Sequence, residues 1–217
     1  MTAFIDIHSH HPASNVLSVV NCFPEEVERF IEKNDEQLCS VGLHPWMIDA
    51  DWEEKLQVVA GIAAHERVVA IGETGLDRVC DTPLELQGMV FRRHVAIAEQ
   101  VQKPVIIHCV RAFNEIASLH NKLCPKQAWL IHGFRGRVMQ ARQLIEQGFY
   151  LSFGKGIEQL HDTIQAVPLN RIFLETDDGN KPIAEIYRQF ALQKNISIEA
   201  LAEQISVNFD AFRNQSR

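Results

Sequence analysis

The amino-acid sequence predicts an α/β protein built as a (β/α)8 TIM-type barrel, abbreviated or distorted near its first two strands. Three observations carry this. Eight short apolar or β-branched runs recur along the 217 residues, helix-like amphipathic stretches separate most of them, and most runs are continuously hydrophobic rather than alternating. A strand that is hydrophobic on both faces belongs in a parallel sheet covered on both sides. Eight such strands alternating with helices favour closure into a barrel.

In chain order the expected strands cover residues 3–8, 15–21, 37–43, 67–73, 104–109, 128–132, 149–153 and 171–176. The first expected helix, 24–33, opens Pro24-Glu25-Glu26, with acidic groups where a helix N-terminus favours them. Further helices are expected at 52–65, 82–101, 111–123, 138–147 and 156–166, with a tail of two more at 184–194 and 198–212. One connection does not fit. Only residues 9–14 separate the first two strands, whereas a parallel crossover takes about a dozen residues or more. Either the first helix is missing and the barrel is distorted there, or the second run is not the parallel neighbour of the first.

The length suits one sizeable core, so a single hydrolase barrel domain spanning residues 1–217 is expected. A net charge of −7 argues against a broad, non-specific grip on nucleic acid. It leaves open the capture of one phosphate at a bound cation, which reverses the local field. Cys22, Cys39, Cys80, Cys109 and Cys124 form an odd set with no CxxC pair, the pattern of reduced thiols in a cytoplasmic protein. The start MTAFIDIHSHH lacks the basic stretch and apolar core of a signal peptide, and no apolar run approaches membrane-spanning length. Nothing calls for an obligate protein partner.

The chemistry lies in where polar residues fall relative to the strands. His8 and His10, two apart in an extended chain, point to one side, and Asp6 shares that face and could orient a histidine. Glu73 ends VVAIGE, His108 ends PVIIH, His132 ends WLIH, and Asp177 follows FLET. In a parallel barrel these C-terminal strand ends converge on one rim, where barrel enzymes keep their active sites. Any one of these residues taken alone reads better as a core, rim or capping group. Four histidines and two carboxylates together point to metal. Six ligands exceed the needs of one catalytic zinc and suit two divalent ions bridged by a carboxylate, with Zn²⁺, Mn²⁺ or Mg²⁺ all admissible.

The segments IDIHSH, SVGLHPW, AIGETGLD, PVIIHC, LIHGF with GFYLSFG, RIFLETD and a late SVNFDAF resemble the TatD-type metal-dependent deoxyribonucleases, within the amidohydrolase-like barrels. They span nearly the whole chain in order. The resemblance implies that His8 and His10 bind a first metal, that Glu73 bridges, and that His108 and His132 bind a second. It also implies that Asp177 ligates the first metal and accepts a proton from the attacking water, and that His44 lies near the substrate phosphate. The implied reaction is hydrolysis of a DNA phosphodiester from a 3′ end, so DNA or a nucleotide phosphodiester is the expected partner.

Departures from the family pattern touch substrate contacts rather than ligands. Arg111 stands three residues after His108 instead of two, Asp178-Gly179-Asn180 replaces a proline-containing segment, and Arg78 follows GETGLD where an aromatic is common. Among the basic residues Arg78, Arg111, Arg135 and Lys155, Arg111 and Arg135 are the candidate phosphate contacts. Trp46 and Phe134 follow ligand-bearing motifs and could stack on a base, but core or rim packing is the role expected of both. The alternatives are a D-aminoacyl-tRNA deacylase or other metal-dependent esterase using the same site, a PHP-type phosphoesterase, and a non-catalytic metal-binding scaffold.

Overall fold

The computed structural model describes residues 4–33 and 37–214. Along them run β1 (Ile5–Ser9), β2 (Leu17–Cys22), α1 (Val27–Lys33), β3 (Leu38–Val41), α2 (Trp52–Ile62) and β4 (Val68–Asp77). There follow α3 (Leu84–Val101), β5 (Val105–Val110), α4 (Phe113–Leu123), β6 (Trp129–Ile131), α5 (Val138–Glu146) and β7 (Tyr150–Phe153). The described residues end with α6 (His161–Ala166), β8 (Ile172–Leu174), α7 (Ile183–Lys194) and α8 (Ile198–Asn214). The expected start of the first strand, at Ala3, lies outside the described residues.

Each strand pairs in parallel with the next, from β1 through β8. The seam between the last strand and the first is closed just beyond β8. There the Asp177 N–H donates to the His8 carbonyl and the His10 N–H donates to the Asp177 carbonyl, each at 3.0 Å. The result is the eight-stranded barrel that the hydrophobic pattern predicts.

The first connection settles the open alternative. β2 is the parallel neighbour of β1, and residues 10–16 make the return with no helix. Extended, a segment of that length reaches about 23 Å, enough to run back along a five-residue strand of roughly 17 Å. The distortion expected here is a register shift. Asp6 pairs with Ser18 and Ser9 with Val20, so β1 carries one extra residue around His8. A second shift inserts an extra residue into β4 between Ile71 and Thr74, around Glu73. Such insertions bend a strand and re-aim its side chains.

β4 also runs on to Asp77, past its expected end at Glu73. The glycines explain this. A Cβ on Gly75, whose φ is +154°, would stand 2.0 Å from the His108 carbonyl oxygen, so only glycine lets β5 approach so closely.

The core fills the barrel and the space between strands and helices. α3 buries Phe91, Val95 and Ala98 at helical spacing, and α8 buries Leu201, Ile205, Phe209 and Phe212. Two side chains pin the terminal helices to the sheet. The Tyr187 hydroxyl donates to the Ile5 carbonyl (3.0 Å) and accepts the Ile5 N–H (3.1 Å). The Asn208 amide, in the SVNFDAF segment, donates to the carbonyls of Leu169 and Ile172, both at 2.8 Å. No helix among the described residues is long and apolar enough to cross a membrane.

Candidate metal centre

Glu73 occupies the middle of the site. It is buried, and its two carboxylate oxygens face different histidines. Oε1 lies 2.8 Å from His108 Nδ1, 2.8 Å from His132 Nε2 and 3.2 Å from His44 Nε2. Oε2 lies 3.3 Å from His8 Nε2 and 4.0 Å from His10 Nε2. Asp177 Oδ1 stands 3.6 and 3.7 Å from the same two nitrogens of His8 and His10. All six expected ligands therefore meet at one mouth, His8, Glu73 and His108 from within β1, β4 and β5, and His10, His132 and Asp177 from just beyond the ends of β1, β6 and β8. Burial alone would push the Glu73 carboxyl up, but His132, His108 and His44 outweigh it and hold the group well below its ordinary value.

Hydrogen bonds fix the tautomers. His108 stands between two carboxylates, with Nε2 3.1 Å from Asp77 Oδ2 and Nδ1 2.8 Å from Glu73 Oε1. With a cation in place, the Asp77 contact would keep the proton on Nε2 and leave Nδ1 to the metal. His44 is set the opposite way. Its Nδ1 accepts the Trp46 N–H at 3.1 Å, which leaves Nε2 protonated beside Glu73. His44 is thus a donor, suited to an oxyanion. Behind His132, Glu175 Oε1 lies 3.5 Å from Nδ1. The Glu175 carboxylate is itself held by the Gly133 N–H (2.6 Å) and the Ser152 hydroxyl. Burial would lower the His132 pKa, but Glu73 and Glu175 raise it well above the usual imidazole range.

The donor set fits divalent metal. His8 is completely buried, yet neither of its ring nitrogens makes a hydrogen bond. A buried polar atom left without a partner costs about 1–3 kcal/mol. A cation between imidazole and carboxylate removes that penalty. Three overlapping groups, His8–His10–Glu73, His8–His132–Asp177 and His44–Glu73–His108, place one donor atom each within 4.8 Å of one another. Four imidazoles with two carboxylates favour a borderline cation over a strictly oxygen-seeking one.

The substrate candidates reach the same mouth. Arg111 and Arg135 line a cavity of about 380 Å³ together with His108, His132 and Asp177. Arg111 and Asp177 adopt φ of +53° and +55°, a left-handed turn that brings the chain sharply off the strand end. Arg78 is instead paired with Glu115, and Lys155 lies 3.4 Å from Asp178. Phe134 is buried as expected, whereas Trp46 is 66% exposed.

One expected contact is different. Asp6 does not orient a histidine. Its carboxylate accepts the Thr176 N–H (3.0 Å) and the Thr176 hydroxyl (2.6 Å), and that hydroxyl also lies 2.9 Å from Ser9 Oγ. Asp6 thereby anchors the residue before Asp177. Asp77, Glu175 and Asn21 are functional neighbours that the sequence reading did not assign; the Asn21 side-chain oxygen accepts the Glu73 N–H at 3.0 Å. Asp77 shares the two-residue period of Glu73, and Glu175 is two before Asp177, so a signal was present for both. His94 had none. In α3, its Nε2 accepts the Leu43 N–H (2.9 Å), and its Nδ1 lies 2.9 Å from the Val90 carbonyl, which holds the segment that carries His44.

Comparison with known proteins agrees with this architecture. Residues 13–214 match the family model described as TatD related DNase. A protein of Buchnera aphidicola subsp. Baizongia pistaciae, named an uncharacterized metal-dependent hydrolase, is 32% identical over 201 residues, covering 83% of this chain and 76% of its own. Deoxyribonuclease Tat-D of Schizosaccharomyces pombe is 31% identical over 156 residues, 64% of this chain and 50% of its own. The crystal structure of YJJV, a TatD homologue from Escherichia coli K12, superposes with a TM-score of 0.88 at 23% identity over 97% of this chain and 98% of that one. With a model match over nearly all of its length, the chain belongs to the TatD-related DNase family of metal-dependent hydrolases.

Proposed function

We propose that this hydrolase is a deoxyribonuclease that cleaves a phosphodiester with two divalent metal ions, Zn²⁺ or Mn²⁺ before Mg²⁺, the whole chain working as one domain. The observation that carries the reading is the division of Glu73, with Oε1 among His108 and His132 and Oε2 towards His8 and His10. His8, His10 and Asp177 would hold one ion, His108 and His132 the other, with Glu73 between them. Bound there, the pair supplies a nucleophilic water at neutral pH and charge to balance the phosphate.

The remaining steps belong to the chain. Asp177, partly exposed at the mouth, accepts the proton of the attacking water. The protonated Nε2 of His44 donates to a phosphate oxygen as negative charge builds on it. Arg111 and Arg135, lining the adjoining cavity, hold the phosphate or its neighbour. The fission yeast relative's name, a deoxyribonuclease, supports DNA as the substrate.

The test is cleavage of a labelled single-stranded DNA by purified protein with and without added Zn²⁺ or Mn²⁺. Cleavage that requires metal and vanishes in Asp177→Asn, with the fold intact by circular dichroism, supports the reading. Release of amino acid from charged tRNA without cleavage of DNA would replace it with the esterase alternative.

A further inference from the structure

We infer that the cavity formed by Phe23, Trp46 and Met47 beside the metal centre is a subsite for an unpaired nucleobase, with the Trp46 indole as its stacking platform. The inference deepens the nuclease reading and rests on it. Two cavities meet at the centre and share Trp46, His108, His132 and Asp177. One, of about 380 Å³, is cationic, with Arg111 and Arg135. The other, of about 250 Å³, has an apolar wall of Phe23, Trp46 and Met47 facing His10 and Glu73. Only one of them suits phosphate. A nucleotide bridging the centre would lay its phosphates towards the arginines and its base towards the aromatic wall.

Trp46 has the properties of a platform. Large indoles normally bury most of their surface, yet this one is 66% exposed, and Met47 beside it is 41% exposed. Exposure here is not looseness. The indole N–H donates to Asp77 Oδ2 at 2.7 Å, and the ring lies in a T-shaped pair with His44, centroids 4.9 Å apart. A ring held by its polar edge has already lost its rotamer freedom and keeps π-surface for a ligand. Stacking accepts any base but requires an unpaired one, so the subsite selects single strands or frayed ends. The same Asp77 oxygen also lies 3.1 Å from His108 Nε2, so the platform and a histidine of the centre share one anchor.

The experiment measures binding in chelator, where no turnover occurs, to a fluorescent single-stranded DNA and to the same strand with abasic terminal nucleotides. The unaltered protein should prefer the natural strand. Trp46→Ala should weaken the natural strand on the order of tenfold, leaving the abasic strand unchanged, and Trp46→Phe should retain most of the preference. Equal loss for both strands, no loss for either, or no preference in the unaltered protein overturns the subsite. Metal-dependent hydrolysis of bis(p-nitrophenyl) phosphate, which has no base, tests the phosphodiesterase chemistry separately. Its persistence alongside any of those outcomes would remove the subsite alone.

Discussion

Asp77 takes two donors on a single carboxylate oxygen, the indole N–H of Trp46 at 2.7 Å and Nε2 of His108 at 3.1 Å. With a cation at the centre, the second contact would keep the proton on Nε2 and leave Nδ1 of His108 to the metal. A carboxylate behind a ligating histidine fixes its tautomer and raises its basicity, and losing it typically weakens metal binding about 10–100-fold. Asp77→Asn should therefore lower Zn²⁺ affinity by that factor in competition with a chelating dye. Affinity equal to that of the unaltered protein would show that His108 is not held in this way.

The orphaned nitrogens of His8 make a second prediction about stability. Metal that binds the folded chain and not the unfolded one stabilises by mass action, about 4 kcal/mol at a thousandfold excess over Kd. Thermal unfolding should rise by several degrees on adding Zn²⁺ or Mn²⁺ to chelator-treated protein. The increment should shrink in His8→Ala and in Glu73→Gln. A Tm indifferent to metal would mean that the cluster holds none.

Gly75 tests why β4 and β5 lie as they do. A Cβ at this position would sit 2.0 Å from the His108 carbonyl oxygen, at a φ of +154° that side chains rarely adopt. Neither strand can move away cheaply, because both are buried in the barrel wall and both carry residues of the centre. Gly75→Ala should destabilise by about 3 kcal/mol or more in urea unfolding, through overpacking and backbone strain together. A loss well under 1 kcal/mol would show that the wall yields more easily than its packing indicates.

What the sequence revealed and what it hid follow from the physics of each residue. Period and apolarity report burial, so the strands, the helices and the gathering of His8, His132 and Asp177 at one mouth were legible. The extension of β4 was not, because Gly72 and Gly75 look like interruptions until a second strand is seen pressing against them. The parallel pairing of β1 with β2 was hidden because a bare loop of minimal length replaces the usual helix. Asp6 misled because residues on one strand face are neighbours in space but need not be partners. The seam to β8 offered it Thr176 instead.

His94, invisible in the sequence, gives a prediction with a definite sign. Burial pushes its pKa down from 6.5 to about 4, although a contact with the Val90 carbonyl pulls it back up. Only the neutral ring can accept the Leu43 N–H. Below about pH 6.5 the unfolded chain takes up a proton that the folded chain refuses. The stabilising contribution is therefore complete above pH 6.5 and is lost progressively as the pH falls from there to about 4, about 3 kcal/mol in all. His94→Gln keeps an acceptor for Leu43 and cannot protonate. Urea unfolding of metal-stripped protein at about pH 7 and about pH 4.5 should show the unaltered chain losing about 2–3 kcal/mol more than the variant over this interval. Every other group is common to both proteins, so its contribution cancels in the difference. Parallel losses would show that the folded chain protonates His94 as readily as the unfolded one, and that the segment bearing His44 is anchored by something else.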